Sequence, residues 1–383
     1  MRKTRITLIG GGTAGHLNPL VAVGIELKLE AAKAGLPLEV SYMGTPGDFA
    51  ESFSANDIKV IKIIGSKLRR YIDVENLFEG PKLIIGLIQS LWHLFWIMPD
   101  VVFSKGGSGA MAPVLAARFY RIPVFIHESD AVPSATSRVT GRFAKTIFIS
   151  FEEVAARFAP AEQAKCELVG SPLRRTLFTD LSTKEKAKKL LGLDPKKPVM
   201  LVLGGSQGSH RINNLILASL PDILGSGIQV LHQTGAKLFE DVAGALGGLF
   251  SSIEEMEKAG YQAIDFFKGD MKDALVAADL IISRSGSSIF EFAAFGKPSI
   301  LIPLPEAAQN HQLMNARAYE DAGACIVMEE DDITVPLFVE QVTTIMSSNE
   351  RLEKLSENAR RFAKPDAASK IAVKLLESVN GQS

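Results

Sequence analysis

Residues 281–316 read IISRSGSSIFEFAAFGKPSILIPLPEAAQNHQLMNA, and their alternation decides the fold. The apolar run Leu280 to Ile282 ends in Arg284-Ser285-Gly286. A segment with helical spacing follows and carries Glu291, and Pro298 to Pro303 reads as the next strand. The unit is a strand, a small-residue turn, a helix and a second strand. In such a unit the helix N-terminus aims unpaired N–H groups and the positive end of its dipole at the mouth of the sheet, where a phosphate can sit. Glu291, about one turn into the helix, is placed to accept hydrogen bonds from a ribose diol. His311, Gln312 and Asn315 follow the second strand at helical spacing, which puts Gln312 and Asn315 on one face. The same pattern also fits an ordinary buried βαβ unit.

Length and composition set the frame. At 383 residues the chain exceeds what a single core usually fills, so two domains are expected. Hydrophobic residues at 46% and charged residues at 22% fit a folded globular protein. A net charge of −1 supplies no global attraction for nucleic acid, and no nucleic-acid partner is expected. Cys166 and Cys325 are too few and too far apart for a disulfide scaffold or a zinc site, and they suit a reducing cytosol. The opening Met1-Arg2-Lys3-Thr4-Arg5 is basic, but the apolar run after it is too short to read as a signal peptide. Leu83 to Met98 (LIIGLIQSLWHLFWIM) is uncharged, yet shorter than the ~20 residues of a spanning helix.

From the N-terminus, RITLIG reads as a strand, GGTAGH as a tight turn, and LNPLVAVGIELKLEAAKAG as a helix with Leu20, Val23 and Leu27 on one face. Gly10-x-Gly12-x-x-Gly15 has the form of a dinucleotide fingerprint. The second strand (LEVSYMG) nevertheless ends in Met43-Gly44-Thr45, without the acid that holds an NAD ribose. His16 stands where a P-loop would place lysine. What remains is a turn whose backbone can approach a ligand, with an imidazole at its end.

Strand and helix signals alternate through Lys59 to Ile64, the apolar helix, Val101 to Phe103, the loop Gly106-Gly107-Ser108-Gly109, and Pro123 to His127. Such alternation predicts a parallel sheet with helices on both faces. His127-Glu128-Ser129-Asp130 is expected just past a strand end, where open α/β sheets place their sites or simply a solvated loop. Beyond Cys166 the pattern restarts. A short strand runs into Gly170-Ser171-Pro172-Leu173-Arg174, a charged helix covers Lys184 to Leu191, and PVMLVLGGSQGS then repeats the strand and glycine turn of the opening. A helix follows from about His210. Two such beginnings, roughly 190 residues apart, predict two doubly wound Rossmann-like α/β domains, with the ligand site expected in the space between them.

The set Gly11-Gly12-Thr13-Ala14-Gly15-His16, His127-Glu128-Ser129-Asp130, Gly170-Ser171-Pro172-Leu173-Arg174, Gly204-Gly205-Ser206-Gln207-Gly208 and His311-Gln312-x-x-Asn315-Ala316 resembles the MurG family of glycosyltransferases, family 28. The resemblance runs in order over nearly the whole chain. It implies a GT-B fold with acceptor-binding, membrane-docking residues 1–169, a UDP-sugar domain over 170–357, and a C-terminal crossover helix within 358–383 returning to the first domain. It implies transfer of N-acetylglucosamine from UDP-N-acetylglucosamine to undecaprenyl-diphosphate-linked muramyl-pentapeptide, lipid I, giving the peptidoglycan precursor lipid II. Thr13, Ala14 and Gly15 would line the donor's sugar, Arg174 and Ser206 its diphosphate and uridine, Glu291 the ribose hydroxyls and Gln312 the N-acetylglucosamine hydroxyls, with Gln207 and Asn315 also binding substrate. Asp130 would face the sugar, and Ser287 and Ser288 the donor. Ala14 replaces a usual glycine, Asp130 a usual asparagine, and the segment from Gly286 to Glu291 is one residue shorter than the family's motif.

That chemistry needs a stabilised leaving diphosphate, which Arg174, the Ser206 turn and helix N-termini can supply. It also needs a base for the acceptor hydroxyl, for which His16 is the first choice and Glu128 the second. The expected course is a single displacement with inversion. With no Asp-x-Asp or His/Cys cluster in the sequence, no metal or other cofactor is expected to be essential. Two other readings stay open: another GT-B enzyme such as a lipid glycosyltransferase or a UDP-sugar epimerase, and a catalytically silent membrane-recruiting partner.

The apolar segment bears on location. Leu87, Leu91, Leu94 and Phe95 share a helical stripe that a core can absorb, while Trp92 and Trp96 form a second one. Lys67, Arg69, Arg70 and Lys82 lie just upstream. Apolar surface beside a basic rim predicts peripheral docking on an anionic membrane, although a short apolar run also fits a buried core helix. The polyprenyl-linked acceptor that the resemblance implies places the docking on the cytoplasmic face of the cell membrane.

Overall fold

The computed structural model describes residues 3–66, 76–205, 207–267, 269 and 271–380. The chain divides into two compact units, Met1–Arg175 with Lys364–Ser383, and Thr176–Ala363. The first division falls after Arg175 rather than after 169. Val169 and Gly170 still donate to the Ile149 carbonyl, and the Gly170 carbonyl is bonded to His127, which ties this stretch to the first sheet.

The first unit holds a seven-stranded parallel sheet of β1 (Thr4–Gly11), β2 (Leu38–Thr45), β3 (Lys59–Lys62), β4 (Val101–Gly107), β5 (Val124–Glu128), β6 (Thr146–Ile149) and β7 (Cys166–Leu168), in the order β3-β2-β1-β4-β5-β6-β7. The second holds a six-stranded parallel sheet of β8 (Val199–Leu203), β9 (Gln229–Gln233), β10 (Tyr261–Ile264), β11 (Leu280–Ser283), β12 (Ser299–Leu301) and β13 (Cys325–Val327), ordered β10-β9-β8-β11-β12-β13. Strand order reverses between β1 and β4 in one and between β8 and β11 in the other, and ligands bind doubly wound sheets at that switch point, beyond the carboxyl ends. Both glycine turns read from the sequence stand there.

The helices that carry or brace functional residues are α1 (Ala14–Lys33), α2 (Asn76–Ile97), α3 (Met111–Phe119), α4 (His210–Gly225), α5 (Ile289–Ala294), α6 (His311–Asp321), α7 (Asn349–Phe362) and α8 (Ala367–Asn380). On α1, Leu20, Val23 and Leu27 are buried against Ile6 and Leu8 of β1, and Ile371 and Leu375 of α8 complete that core layer. The opposite face of the first sheet is covered by α2 and α3 through Leu94 and Val114. In the second unit α4 packs Ile212, Ile216 and Leu220 onto Met200 and Val202 of β8.

Three expectations change. Helix α1 begins at Ala14 inside the supposed turn, because the Thr13 carbonyl already accepts the N–H groups of His16 at 3.0 Å and Leu17 at 3.2 Å. His127 and Glu128 are the last residues of β5 and not a loop beyond it, and both are buried. The region 358–383 holds parts of two helices. α7 ends at Phe362, which stacks on Phe290 within the second unit, and Ala363 turns extended two residues before Pro365. Only α8 belongs to the first unit.

Candidate active site

In the first unit β1 delivers Gly11 and Gly12 to the switch point, and His16 stands in the first turn of α1. Thr13 is the N-cap, but its Oγ1 lies 3.3 Å from His16 Nδ1 instead of on a backbone N–H, so the hydroxyl orients the imidazole. Across from it Gly107 ends β4 with φ +82°. A Cβ there would lie 3.1 Å from the His16 ring and 2.0 Å from the Gly11 carbonyl oxygen, so only glycine lets the two turns pack. Thr13 is exposed, and Ala14, Gly15 and His16 are partly exposed.

At the end of β5 the His127 Nε2 lies 2.8 Å from the Gly170 carbonyl. A carbonyl only accepts, so Nε2 carries the proton, and the buried Nδ1 has no partner among the described residues. Burial, with the charge of Lys105, holds this imidazole well below its usual basicity. Glu128 accepts the Asp130 N–H at 3.1 Å and the Ser134 N–H at 2.8 Å, bracing the loop that follows. Burial and then Asp130 push its carboxyl up, against the pull of Lys105. Lys105 itself is buried and donates to Ser129 Oγ at 2.8 Å, and desolvation lowers its affinity for the proton. Arg174, after β7, has a buried Nε with no partner among the described residues.

In the second unit Gly204, Gly205, Gln207 and Gly208 form the turn after β8, and Ser206 lies outside the described residues. Gly208 and Gly235 face each other so closely that a Cβ on Gly235 would stand 2.4 Å from the Gly208 Cα. Ser209 caps α4, its Oγ accepting the Ile212 N–H at 3.3 Å. Arg284, at the end of β11, donates to the same Oγ at 2.7 Å, to the Ile302 and Pro303 carbonyls at 3.0 and 3.2 Å, and pairs with Glu330 at 3.2 Å. Gly204, Gly208, Ser209, His210, Arg211, Arg284 and Leu304 line a cavity of about 270 Å³. Beside it Ser285 Oγ donates to the Gln312 carbonyl at 2.7 Å, and Gln312 Oε1 accepts the Leu304 N–H at 3.0 Å. Asn315, expected to bind substrate, is buried and donates to the Ser285 carbonyl at 3.1 Å, bracing the turn from within. Ser287 and Ser288 are partly exposed, and Glu291 stands partly exposed in the first turn of α5.

Most of the sequence matches known proteins. Residues 6–149 fit the model of the glycosyltransferase family 28 N-terminal domain, and residues 199–371 that of the family 28 C-terminal domain. A Bacillus thuringiensis (strain Al Hakam) protein named UDP-N-acetylglucosamine--N-acetylmuramyl-(pentapeptide) pyrophosphoryl-undecaprenol N-acetylglucosamine transferase 3 is 34% identical over 349 residues, 90% of this chain and 92% of that protein. The Clostridium tetani transferase of the same description is 31% identical over 93% of this chain and 94% of its own length. The chain belongs to glycosyltransferase family 28. Among solved structures, Acinetobacter baumannii MurG superposes with a TM-score of 0.72 at 23% identity, covering 98% of this chain and 99% of that one. A Neisseria meningitidis UDP-GlcNAc 2-epimerase bound to UDP-GlcNAc gives 0.71 at 16%, covering 98% and 100%. At those identities the likeness establishes the fold, two Rossmann-like domains of the GT-B type.

Within this family 28 enzyme two buried cations escaped the sequence reading. In the sequence Arg284 reads as a turn residue, and Lys105 belongs to no motif. The available signal was a single charge inside or directly after an apolar strand, VVFSKGG and LIISR, where a charge is tolerated only with partners.

Proposed function

We propose that this glycosyltransferase moves N-acetylglucosamine from UDP-N-acetylglucosamine to the muramyl C4 hydroxyl of lipid I, forming lipid II. The observation that carries the reading is the match, over nine-tenths of the chain, to transferases whose names state that donor and acceptor. In this reading the acceptor oxygen attacks the anomeric carbon as the bond to UDP breaks, and His16 takes the hydroxyl proton. Its partial exposure and the Thr13 contact support that role. Glu128 is the weaker candidate, since both its oxygens accept backbone N–H groups. Arg174, with its unpartnered buried Nε, offers a donor to the leaving diphosphate. Glu291 takes the ribose, and Gln312, whose Oε1 is occupied, offers its amide N–H groups to the sugar.

A polyprenyl-linked acceptor stays in the bilayer, so the enzyme works as a peripheral protein on the cytoplasmic face of the cell membrane. No described helix is long and apolar enough to cross one. Support comes from α2. Leu94 is buried and Leu87 and Leu91 are packed on the core, while Ile84, Ile88, Trp92, Phe95 and Trp96 form an exposed stripe, Trp96 at 67%. Phe95 thus sides with the tryptophans rather than with the core. Phe119 at the end of α3, 73% exposed, adds to the apolar residues that the first unit leaves in solvent. Of the basic rim, Lys82 is exposed and paired with Glu79, and Lys67, Arg69 and Arg70 lie outside the described residues.

Mass spectrometry of products from UDP-N-acetylglucosamine and a short-chain lipid I tests the reaction. The expected product is the acceptor heavier by one N-acetylhexosamine. An unchanged acceptor, or an epimerised sugar nucleotide, overturns the reading.

A further inference from the structure

Lys105 stands in a strand that is otherwise uncharged, and it is 3% exposed. Burying an ammonium is strongly unfavourable unless nearby groups offset the lost hydration. Those groups all come from β5 and the loop after it. Nζ donates to Ser129 Oγ, and the carboxylates of Glu128 and Asp130 favour its charge. Glu128 spends its own oxygens on the N–H groups of Asp130 and Ser134. Residues 128–134 are therefore stapled to the ends of β4 and β5 twice, once by the cation through Ser129 and once by the carboxylate. Two residues after Lys105, Gly107 lies against the His16 ring. The remaining titratable group on this cluster is His127 of β5, which Lys105 discourages from protonation.

We propose that Lys105 is a positioning residue for the acceptor side of the transfer reaction, holding the segment from Glu128 to Ser134 in register with the glycine turn beneath His16. The inference rests on the functional reading above. Without the cation, buried Glu128 and partly exposed Asp130 repel each other with no balancing charge at the end of β5. Loss of the cation pushes Glu128 further toward its neutral form, in which it accepts its two N–H groups less well and holds the loop that bears Asp130 less firmly.

The test uses the full chain as wild type, Lys105→Met, Ser129→Ala, and Lys105→Met with Asp130→Asn, the last removing one cation and one carboxylate together. Hydrogen exchange by mass spectrometry over 128–134, without substrate, should quicken about tenfold in Lys105→Met, less in Ser129→Ala, and return toward wild type in the double variant. In steady-state kinetics the KM for short-chain lipid I should rise about tenfold in Lys105→Met while that for UDP-N-acetylglucosamine holds. Unchanged protection of 128–134, or a double variant as fast as the single, overturns the proposal. So does an unaltered Ser129→Ala, even where Lys105→Met fails to fold. If wild type makes no lipid II, the functional reading falls, and the exchange data still decide whether Lys105 holds the segment.

Discussion

Arg284 holds Ser209: a guanidinium at the end of β11 donates at 2.7 Å to the hydroxyl that caps α4, joining the two strands of the second switch point through one side chain. Because Glu330 pairs with the same guanidinium while largely buried, Arg284→Ala leaves that carboxylate only its more exposed partner Arg211, at 3.2 Å. A buried charge left wholly unpaired costs about 3–5 kcal/mol, and the surviving Arg211 contact should keep the loss below that range. The expected outcome is a lower urea midpoint together with weaker UDP binding by calorimetry. A variant with wild-type stability and affinity would show that the turn needs no such brace.

His16→Ala separates chemistry from binding. The UDP affinity should stay near wild type while kcat falls by about 10²–10⁴, the range for losing a general base. Near-normal turnover would remove His16 from the proton transfer.

Membrane docking is checked by sedimentation with anionic liposomes. Trp92→Ser with Trp96→Ser should lower the bound fraction without changing the circular dichroism spectrum, because both rings are mostly in solvent and touch each other edge to face at 5.9 Å. Leu94→Ala is the contrasting core variant. It should cost about 2–5 kcal/mol of stability. Normal liposome binding by the double tryptophan variant would place the docking surface elsewhere.

His232 makes a pH prediction. Its Nε2 donates to Asn213 Oδ1 at 3.1 Å and its Nδ1 accepts from the Tyr261 hydroxyl at 2.9 Å, so the neutral ring is fully satisfied inside the second unit. Burial pushes its pKa down to about 3 from an ordinary 6.5. The unfolded chain binds the proton first, so this contribution is complete above pH 6.5 and fades as pH falls toward 3. His232→Leu strands two buried polar groups at about 1–3 kcal/mol each. Urea midpoints should therefore differ most at pH 7 and converge toward pH 4. A constant gap would mean the ring is not held neutral.

Much of the fold was legible because buried parallel strands leave uninterrupted apolar runs, and RITLIG and PVMLVLGG each run straight into glycine. The apolar excess of α2 was legible too, although helical spacing alone put Phe95 with the wrong neighbours. Less visible were the pairings that build the site. Lys105 meets Ser129 and Arg284 meets Glu330 across gaps of 24 and 46 residues, and such contacts exist only once the strand order is known. The burial of Asn315 was hidden for the same reason: its helix face is defined by what the Ser285 turn packs against. The turn signal at Gly12 concealed the start of α1, since Gly15 directly after Ala14 cancels the helical preference of the alanine.

Helix α8 has a consequence for synthesis. It supplies Ile371 and Leu375 to the same layer as Leu20 and Val23, yet it is translated after the entire second unit. The leading unit of a nascent chain usually folds first, and here it lacks one helix of its core until the second unit has been made. As the ribosome proceeds, residues 176–363 can complete their core while the outer face of α1 still waits uncovered. That interval closes only when α8 leaves the exit tunnel.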